Sequence, residues 1–521
     1  MKFDELDALA AKAFDGYIVR KDLVRRFKGQ YPVPTYVVEF LLGRYCASVN
    51  EAEIEEGLRI VEFQMRERAV RPGEEELFKS RARERGSVKL IDLVSARLDP
   101  RTDSYLAPLQ SLRLNDVRID DSLVAAHERL LTGGFYAEVT LEYDPQIAQE
   151  KFGRPFAIVA LRPIQLSKRS ALEDLARGRE AFTTEQWKRF LLRSVGFEPD
   201  RFSPRAQDIL LLRMVPFVER NYNMVELGPR GTGKSHLFQQ ISPYSHLVSG
   251  GKTTVARMFV DLSTGRRGLV AQYDVVCFDE ISGISFDQKD GVNIMKGYME
   301  SGEFSRGRES IRASGSIVLV GNFEVDVEHQ QRVSHLFGPL PPEMRNDTAF
   351  MDRIHAYLPG WDVPKLDASH FTDHFGLVSD FLSEAWTQLR NENRLQEIQG
   401  RVRYGSALSG RDVTAVNKTV NGLLKLLYPN RNMPISDEDL EWAVRLALEC
   451  RRRVKEQQKR IGPAEFRNTH FSYVLSQEGV EKFVTTPELQ SEGTCGRSAQ
   501  VAWMSIRGCI VSKSTRDRDP G

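Results

Sequence analysis

The octapeptide Gly228-Pro229-Arg230-Gly231-Thr232-Gly233-Lys234-Ser235 is the stretch of this chain best suited to chemistry. It fits the phosphate-cradling pattern in which glycines, a lysine and a hydroxyl residue stand at fixed offsets. Its glycines permit a tight backbone with positive φ, so that successive N–H groups converge on one anion. Lys234 would reach the β- and γ-phosphates of ATP, and the Ser235 hydroxyl would ligate Mg²⁺. Two further runs end in useful polar residues. Tyr273-Asp274-Val275-Val276-Cys277-Phe278 closes on Asp279-Glu280. Asp279 would hold Mg²⁺, generally through water, and Glu280 would act as general base toward the attacking water. Ser316-Ile317-Val318-Leu319-Val320-Gly321 closes on Asn322, whose amide could orient that water. Each has a bland alternative: a Gly-rich turn, a solvated acidic turn, an ordinary Gly-Asn turn. The three in series favour nucleotide hydrolysis.

These residues need strands and helices to hold them. Tyr222 to Leu227 reads as the strand entering the loop. His236-Leu237-Phe238-Gln239-Gln240 reads as a helix, begun near Lys234, with its N-terminus toward the phosphates. Ala206 to Val218 is helical and mostly apolar, and leads into the strand as in an α/β nucleotide-binding core. Before it, Phe3 to about Arg85 reads as helical, with Val37, Val38, Phe40, Leu41, Leu42, Ile54, Leu58, Ile60, Val61, Phe63 and Met65 as buried positions. Basic residues recur there (Arg25, Arg26, Lys28, Lys79, Arg81, Arg83, Arg85). Interleaved Glu74, Glu75, Glu76 and Glu84 favour a solvated surface over a DNA-contacting face. From Val88 to Arg162, Leu112–Ile119 and Tyr136–Tyr143 alternate with period two, and Phe156–Leu161 is a continuous apolar strand, so a small β module is expected. Residues 164–184 read as a polar linker with some helix. Ser436-Asp437-Glu438-Asp439 resembles a helix start, and the apolar side Leu440, Val444, Ala447 and Leu448 follows.

At 521 residues the chain exceeds a single core, and three or so domains are expected. The 41% hydrophobic and 28% charged composition is that of a water-soluble protein. A net charge of +1 excludes a global field that would draw in nucleic acid, so such binding needs local patches. Met1-Lys2-Phe3-Asp4-Glu5-Leu6-Asp7 lacks a signal core, no run is long enough for a membrane span, and the cytoplasm is the expected address. The five cysteines (Cys46, Cys277, Cys450, Cys495, Cys509) form no CxxC pair, which argues against a disulfide framework or zinc knuckle.

The three strand ends in order resemble the AAA+ ATPases: Walker A, Walker B with Asp279-Glu280, then sensor 1 at Asn322. Phe350-Met351-Asp352-Arg353-Ile354 looks like the box supplying an arginine finger to a neighbouring subunit, and Ser409-Gly410-Arg411-Asp412-Val413 looks like sensor 2. The resemblance implies that Arg353 and Arg411 counter charge on a γ-phosphate. More narrowly, Gly228–His236, Ser242-Pro243-Tyr244-Ser245, Ser249–Thr254 and Phe337–Trp361 with its Gly338-Pro339-Leu340-Pro341-Pro342 resemble the Lon-related BrxL family of BREX phage-defence systems, from the N-terminus to about residue 492. That family resemblance implies a DNA-binding AAA+ ring with MCM-like architecture, usually a hexamer and with stacked rings as an option. It would use ATP and Mg²⁺, bind double-stranded DNA, act with other BREX proteins and have no membrane partner. Two inserts carry the DNA expectation. Ala256–Val260 with Ser263–Gly268 reads as a hairpin with a basic tip, and Tyr298–Arg308 as a helix end followed by a basic turn. Lys252, Arg266, Arg267, Arg306 and Arg308 would then meet phosphates, unless they pair with acids at subunit interfaces.

The expected fold is therefore multidomain α/β: an AAA+ P-loop ATPase core with a helical lid, preceded by a helical and β-containing region. The expected divisions are a helical N-terminal domain (1–87), a small β-rich module (88–165), linker and helix (166–200), ATPase core (201–370), helical lid (371–490) and a divergent, disordered tail (491–521). The family's Lon-like domain is expected to be missing. Val484–Leu489 looks like its entry, but the likeness stops near Gly493, as a frameshift or truncation would produce. The remaining residues are too few for a Ser-Lys protease domain, so ATP hydrolysis is expected and proteolysis is not. Two other functions fit the motifs: a protein-remodelling unfoldase, or a nucleotide-gated DNA scaffold with little turnover. The basic turns count against the first, and intact Lys234, Asp279, Glu280 and Asn322 against the second.

Overall fold

The computed structural model describes residues 3–27, 29–46, 50–131, 133–151, 153–164, 170–260, 267–286, 291–306 and 309–490. Its centre is a five-stranded parallel sheet. The spatial order is Ala356–Pro359, Asn223–Gly228, Ser316–Asn322, Val275–Phe286, Ser245–Thr253. Near-continuous apolar runs suit a parallel sheet, which is covered on both faces. The period-two alternation divides these runs between two cores. Met224, Val275, Cys277, Val318, Val320 and Leu358 face one core. Val225, Leu227, Val276, Phe278, Ile317, Leu319 and Tyr357 face the other.

The first core is built mainly by helices. Thr184–Ser194 and Pro204–Leu212 supply Trp187, Phe190, Leu191, Ile209 and Leu210. Gly410–Leu427 and Asp437–Ile461 supply Val416, Val420, Leu424, Leu440, Val444 and Ala447. These last two helices, in the segment expected as a lid, pack on the sheet itself. The chain's first helix, Glu5–Ala13, enters the same core through Leu6 and Ala10, and Phe14 stacks on Trp187 and Phe190 beside Phe182. A capping box between Asp4 and Asp7 starts that helix. The next strand, Ile18–Arg20, pairs antiparallel with Phe375–Leu377, so the N-terminal segment is tied to a distant part of the chain. Ala171–Arg179, within the segment read as linker, is a helix with Ala171, Leu175 and Arg179 buried.

Helices Lys21–Phe27, Thr35–Tyr45 and Glu51–Arg68 build a separate core around Val37, Leu42, Val61 and Met65, whereas Ile60 and Phe63, read as buried, lie on the outer face of the last helix and are exposed. The β module is a small barrel. Strands Ser87–Val94, Phe135–Tyr143, Phe156–Pro163, Leu114–Ile119 and Ser104–Leu109 are neighbours in that order, and the Val94–Leu109 pair closes the ring. One neighbouring pair, Leu114–Ile119 with Phe156–Pro163, is parallel. The strand read from Leu112 starts at Leu114, because Gln110–Leu112 forms a 3₁₀ turn and Arg113 takes φ 53°. Among the described residues no helix is long and apolar enough to cross a membrane. The tail from residue 491 lies outside the described residues.

Candidate nucleotide site

Strand Asn223–Gly228 is buried along its whole length and delivers the loop at its carboxyl end. Gly231 and Gly233 take φ of 83° and 70°, a left-handed backbone that costs a side chain-bearing residue about 1–2 kcal/mol. Space is restricted as well. A Cβ at Gly228 would stand 2.6 Å from the Gly360 carbonyl carbon, and one at Gly233 would stand 2.5 Å from Leu366 Cδ1. The Leu366 N–H donates to the Gly231 carbonyl at 2.8 Å. The segment from Gly360 to Leu366 thus grips the loop from outside.

A buried ion pair grips it from inside. Arg213 and Glu226 are both fully buried, and the guanidinium meets the carboxylate through Nε at 3.1 and 2.9 Å and NH2 at 2.6 Å. Arg213 NH1 donates to the Thr232 carbonyl at 3.1 Å, inside the loop. Glu226 is the one charge in its strand, and Arg213 is the reason it can be buried there. Lys234 Nζ donates to the carbonyls of Pro229 at 2.5 Å and Gly228 at 3.3 Å, with Thr232 Oγ1 at 3.5 Å. Burial pulls the Lys234 ammonium down to about 8, against the opposing charges of Glu226 and Asp279. Ser235 is half-buried at the N-cap of a helix only five residues long, His236–Gln240.

Asn322 ends its strand at the same edge, whereas the strand read as closing on Asp279-Glu280 runs on to Phe286, with its pairing broken after Asp279. Asn322 pairs with Gly228, and Phe278 pairs with Leu319. Asp279 is therefore level with Val320, two residues short of Asn322. Ladder pairing between Val275–Phe286 and its other neighbour is interrupted after Asp279–Ser249. Glu280 takes φ 51°, and its N–H donates to Asp279 Oδ1 at 3.0 Å. A non-glycine residue in that conformation stores strain of the kind that concentrates at functional sites. The Glu280 side chain is exposed, and Asp279 and Asn322 are half-buried. Lys234, Ser235, Asp279, Glu280 and Asn322 thus share the carboxyl edge of the sheet, where ligands of open α/β sheets bind. Two left-handed glycines and a buried ammonium suit a polyphosphate. Ser235 and Asp279 are the oxygen donors suited to its Mg²⁺.

Arg353 and Arg411 lie elsewhere. Arg353 precedes strand Ala356–Pro359, so it sits at the amino edge of the sheet. Its carbonyl accepts from Asn223 Nδ2 at 3.0 Å, at the start of the loop's strand. From Asn223 to Gly228 the strand rises roughly 16–17 Å, more than an arginine side chain spans. The two arginines are brought to each other instead. Arg353 NH2 donates to Glu300 Oε2, and Arg411 NH2 donates to Glu300 Oε1 at 2.6 Å. Arg411 NH1 donates to Asp352 Oδ2 at 2.8 Å, and Arg451 NH2 to Asp352 Oδ1 at 2.9 Å. The Arg411 hydrogen bond, with Arg353 beside it, holds the Glu300 carboxyl below its usual range.

Of the residues read as DNA contacts, Arg267 is exposed and bridges to Val260, but Val255–Met258, read as an arm of the first insert's hairpin, is a short helix. Lys252 and Arg306 are placed by backbone only, in strands Ser245–Thr253 and Glu303–Arg306, opposite Ser285 and Glu309. Arg266 and Arg308 lie outside the described residues. The second insert is a helix, Gly291–Ser301, followed by the antiparallel pair Glu303–Arg306 and Glu309–Arg312. Sequence reading missed Arg213, Glu300 and the clamp at Gly360–Leu366. Its one available signal was a glutamate inside an apolar strand. Away from the site, Asp4, Asp7 and His374 form a group with metal-ligand spacing. Arg193 already answers its charge, donating to Asp4 at 3.1 and 2.6 Å and lying 3.8 Å from Asp7.

A family model described as the ATPase domain of Lon-like protease BrxL-like proteins matches residues 156–472. A second, for the N-terminal part of the BREX system Lon protease-like protein BrxL, matches residues 12–143. The chain is 46% identical over 484 residues to the Lon-like protease BrxL of Escherichia coli O9:H4 (strain HS), spanning 93% of this chain and 69% of that protein. It is 45% identical over 482 residues to the Lon-like protease BrxL of Bacillus cereus (strain H3081.97), spanning 92% and 70%.

Proposed function

Because the chain belongs to the BrxL family and carries that family's ATPase domain, we propose that it is an ATP-hydrolysing, DNA-binding AAA+ protein of a BREX phage-defence system, working as a homo-oligomeric ring. MgATP would lie on the loop Gly228–Ser235, with Lys234 on the β- and γ-phosphates and Ser235 and Asp279 toward the metal. The metal held by Ser235 and Asp279 would supply charge neutralisation to the phosphates. Glu280 would take the proton of the attacking water, and Asn322 would orient it. Arg353 and Arg411 would come from the next copy.

One observation carries this reading. The phosphate-binding residues and the two arginines occupy opposite edges of one sheet, too far apart to meet within a chain. A site assembled between copies would use both, and such a head-to-tail contact, repeated with a closing rotation, gives a ring. The DNA part of the proposal rests on the basic inserts at Lys252, Arg266, Arg267, Arg306 and Arg308. The barrel is a weaker candidate, although small five-stranded barrels do bind oligonucleotides. Its groove, about 720 Å³, sets Arg118 against Asp120, Asp121, Glu142 and Asp144, a poor track for phosphates.

The test is subunit complementation. Lys234→Ala chains lack a working loop but keep their arginines; Arg353→Ala/Arg411→Ala chains are the reverse. Each alone should be inactive, and co-expressed they should recover ATPase activity that duplex DNA stimulates. No recovery would refute the shared site. Stimulation by unfolded protein and not by DNA would replace the DNA motor with a remodelling enzyme.

A further inference from the structure

Glu300 is the carboxylate on which Arg353 and Arg411 converge, one oxygen to each. Exposed ion pairs usually contribute little, and Glu300 and Arg411 are 44% and 51% exposed. Three features set this one apart. Glu300 is the penultimate residue of helix Gly291–Ser301, where the helix dipole disfavours an anion, so helix stability does not explain it. Arg353 is only 15% exposed and its Nε is buried without a hydrogen-bond partner, so Glu300 and the Ala349 carbonyl fix its guanidinium. Two guanidiniums this close repel each other unless an anion lies between them, and Glu300 supplies it.

We propose that Glu300 is a positioning residue: it holds Arg353 and Arg411 as a pair, at the spacing of one carboxylate, for presentation to the γ-phosphate of the neighbouring copy. This rests on the shared-site reading above. Asp352 completes the arrangement on the Arg411 side and is itself held by buried Arg451. Without Glu300 the guanidiniums would splay apart, and the transition-state charge would meet them one at a time. Nucleotide binding, which uses the other edge of the sheet, would be unaffected.

The complementation experiment separates this role from a structural one, because the substitution can be placed in either copy. Glu300→Gln in the Lys234→Ala chain, which donates arginines, should lower recovered kcat by about tenfold or more with KM for ATP unchanged. The same substitution in the Arg353→Ala/Arg411→Ala chain has no arginine left to position, and recovery should match that without it. Glu300→Asp, which keeps the charge but shortens the reach, should give the same one-sided loss in milder form. Equal loss in both placements, or loss in neither, overturns the proposal. If the parent mixture recovers nothing, the shared-site reading fails first. In that case Glu300→Gln alone, in the otherwise unaltered chain, shows whether Glu300 has any part in turnover.

Discussion

Removing the negative charge at Glu226 should destabilise the protein and loosen its loop, and the two effects can be separated. Arg213 and Glu226 are both fully buried and joined by close contacts of 2.6–3.1 Å. Taking away one partner leaves the other charge buried and uncompensated, which costs about 3–5 kcal/mol. Glu226→Gln should therefore lower the melting temperature by on the order of 5–10 °C. Replacing both residues with apolar ones of similar size, Arg213→Met/Glu226→Met, removes the stranded charge and should restore part of the stability, short by about 1.5–3 kcal/mol for the bond lost at Thr232. It does not restore the hydrogen bond from Arg213 NH1 to the Thr232 carbonyl. A bond from a charged donor contributes about 1.5–3 kcal/mol, so the double variant should still bind ATP roughly 10- to 100-fold more weakly. Thermal melts with titration of a fluorescent ATP analogue measure both quantities on the same samples. A double variant as unstable as the single, or one that is stable and binds ATP normally, would refute the idea that this pair organises the loop.

Other expectations concern the same edge of the sheet. Gly233→Ala should leave the protein folded but weaken ATP binding at least about tenfold, through left-handed strain and the encounter with Leu366. Gly73→Ala, with similar φ but open space around it, should leave binding intact, and equal behaviour of the two would sink the argument. Glu280→Gln should retain ATP affinity while lowering kcat by about 100-fold or more, in single-turnover assays that separate binding from chemistry. Lys234, held at about 8, loses its proton as pH rises through that value, whereas phosphate favours the ammonium. ATP affinity should be flat below pH 7 and fall toward about tenfold per unit above pH 8; an unchanged affinity at pH 9.5 would contradict the burial seen here. For stability the sign is opposite. Its ordinary value is 10.5, so burying the charged lysine costs stability below pH 8, and the cost is relieved between 8 and 10.5.

What could be read from the sequence was local. The loop pattern lies within eight residues, and the strands before Gly228, Asp279 and Asn322 announce themselves as apolar runs ending in polar groups. Helix His236–Gln240 was legible too, since Ser242-Pro243 stops it at once. The missing parts are contacts between residues far apart in sequence. Glu300 meets Arg353 across 53 positions and Arg411 across 111. Nothing near Glu300 distinguishes it from any acid ending an amphipathic helix. The same holds for the first helix, whose Leu6 and Ala10 look like the face of a separate domain and instead share a core with Trp187. Glu226 was the exception. A charge inside a strand buried on both faces must have a partner, even though its pattern does not say which.

The two edges of the sheet are built on different physical terms, and the difference suits a site divided between copies. The loop is organised by groups removed from water: Arg213, Glu226, Thr232 and most of Lys234. Its shape does not depend on a partner, and salt screens buried pairs little. At the arginine edge Arg353 is mostly buried, whereas Arg411 is half-exposed and held by Glu300 and Asp352, so its geometry can adjust. On the shared-site proposal, a neighbour's γ-phosphate would meet the guanidinium N–H groups that Glu300 leaves unused, while Glu300 keeps the pair together. Were Arg411 buried as well, the pair would hold its geometry better, but Arg411 could not be offered to a neighbour without the several kcal/mol that uncovering a buried charge costs. On the shared-site proposal, the partial exposure of Arg411 and Glu300 would make the amino edge the adjustable half of the site and the buried carboxyl edge the fixed one.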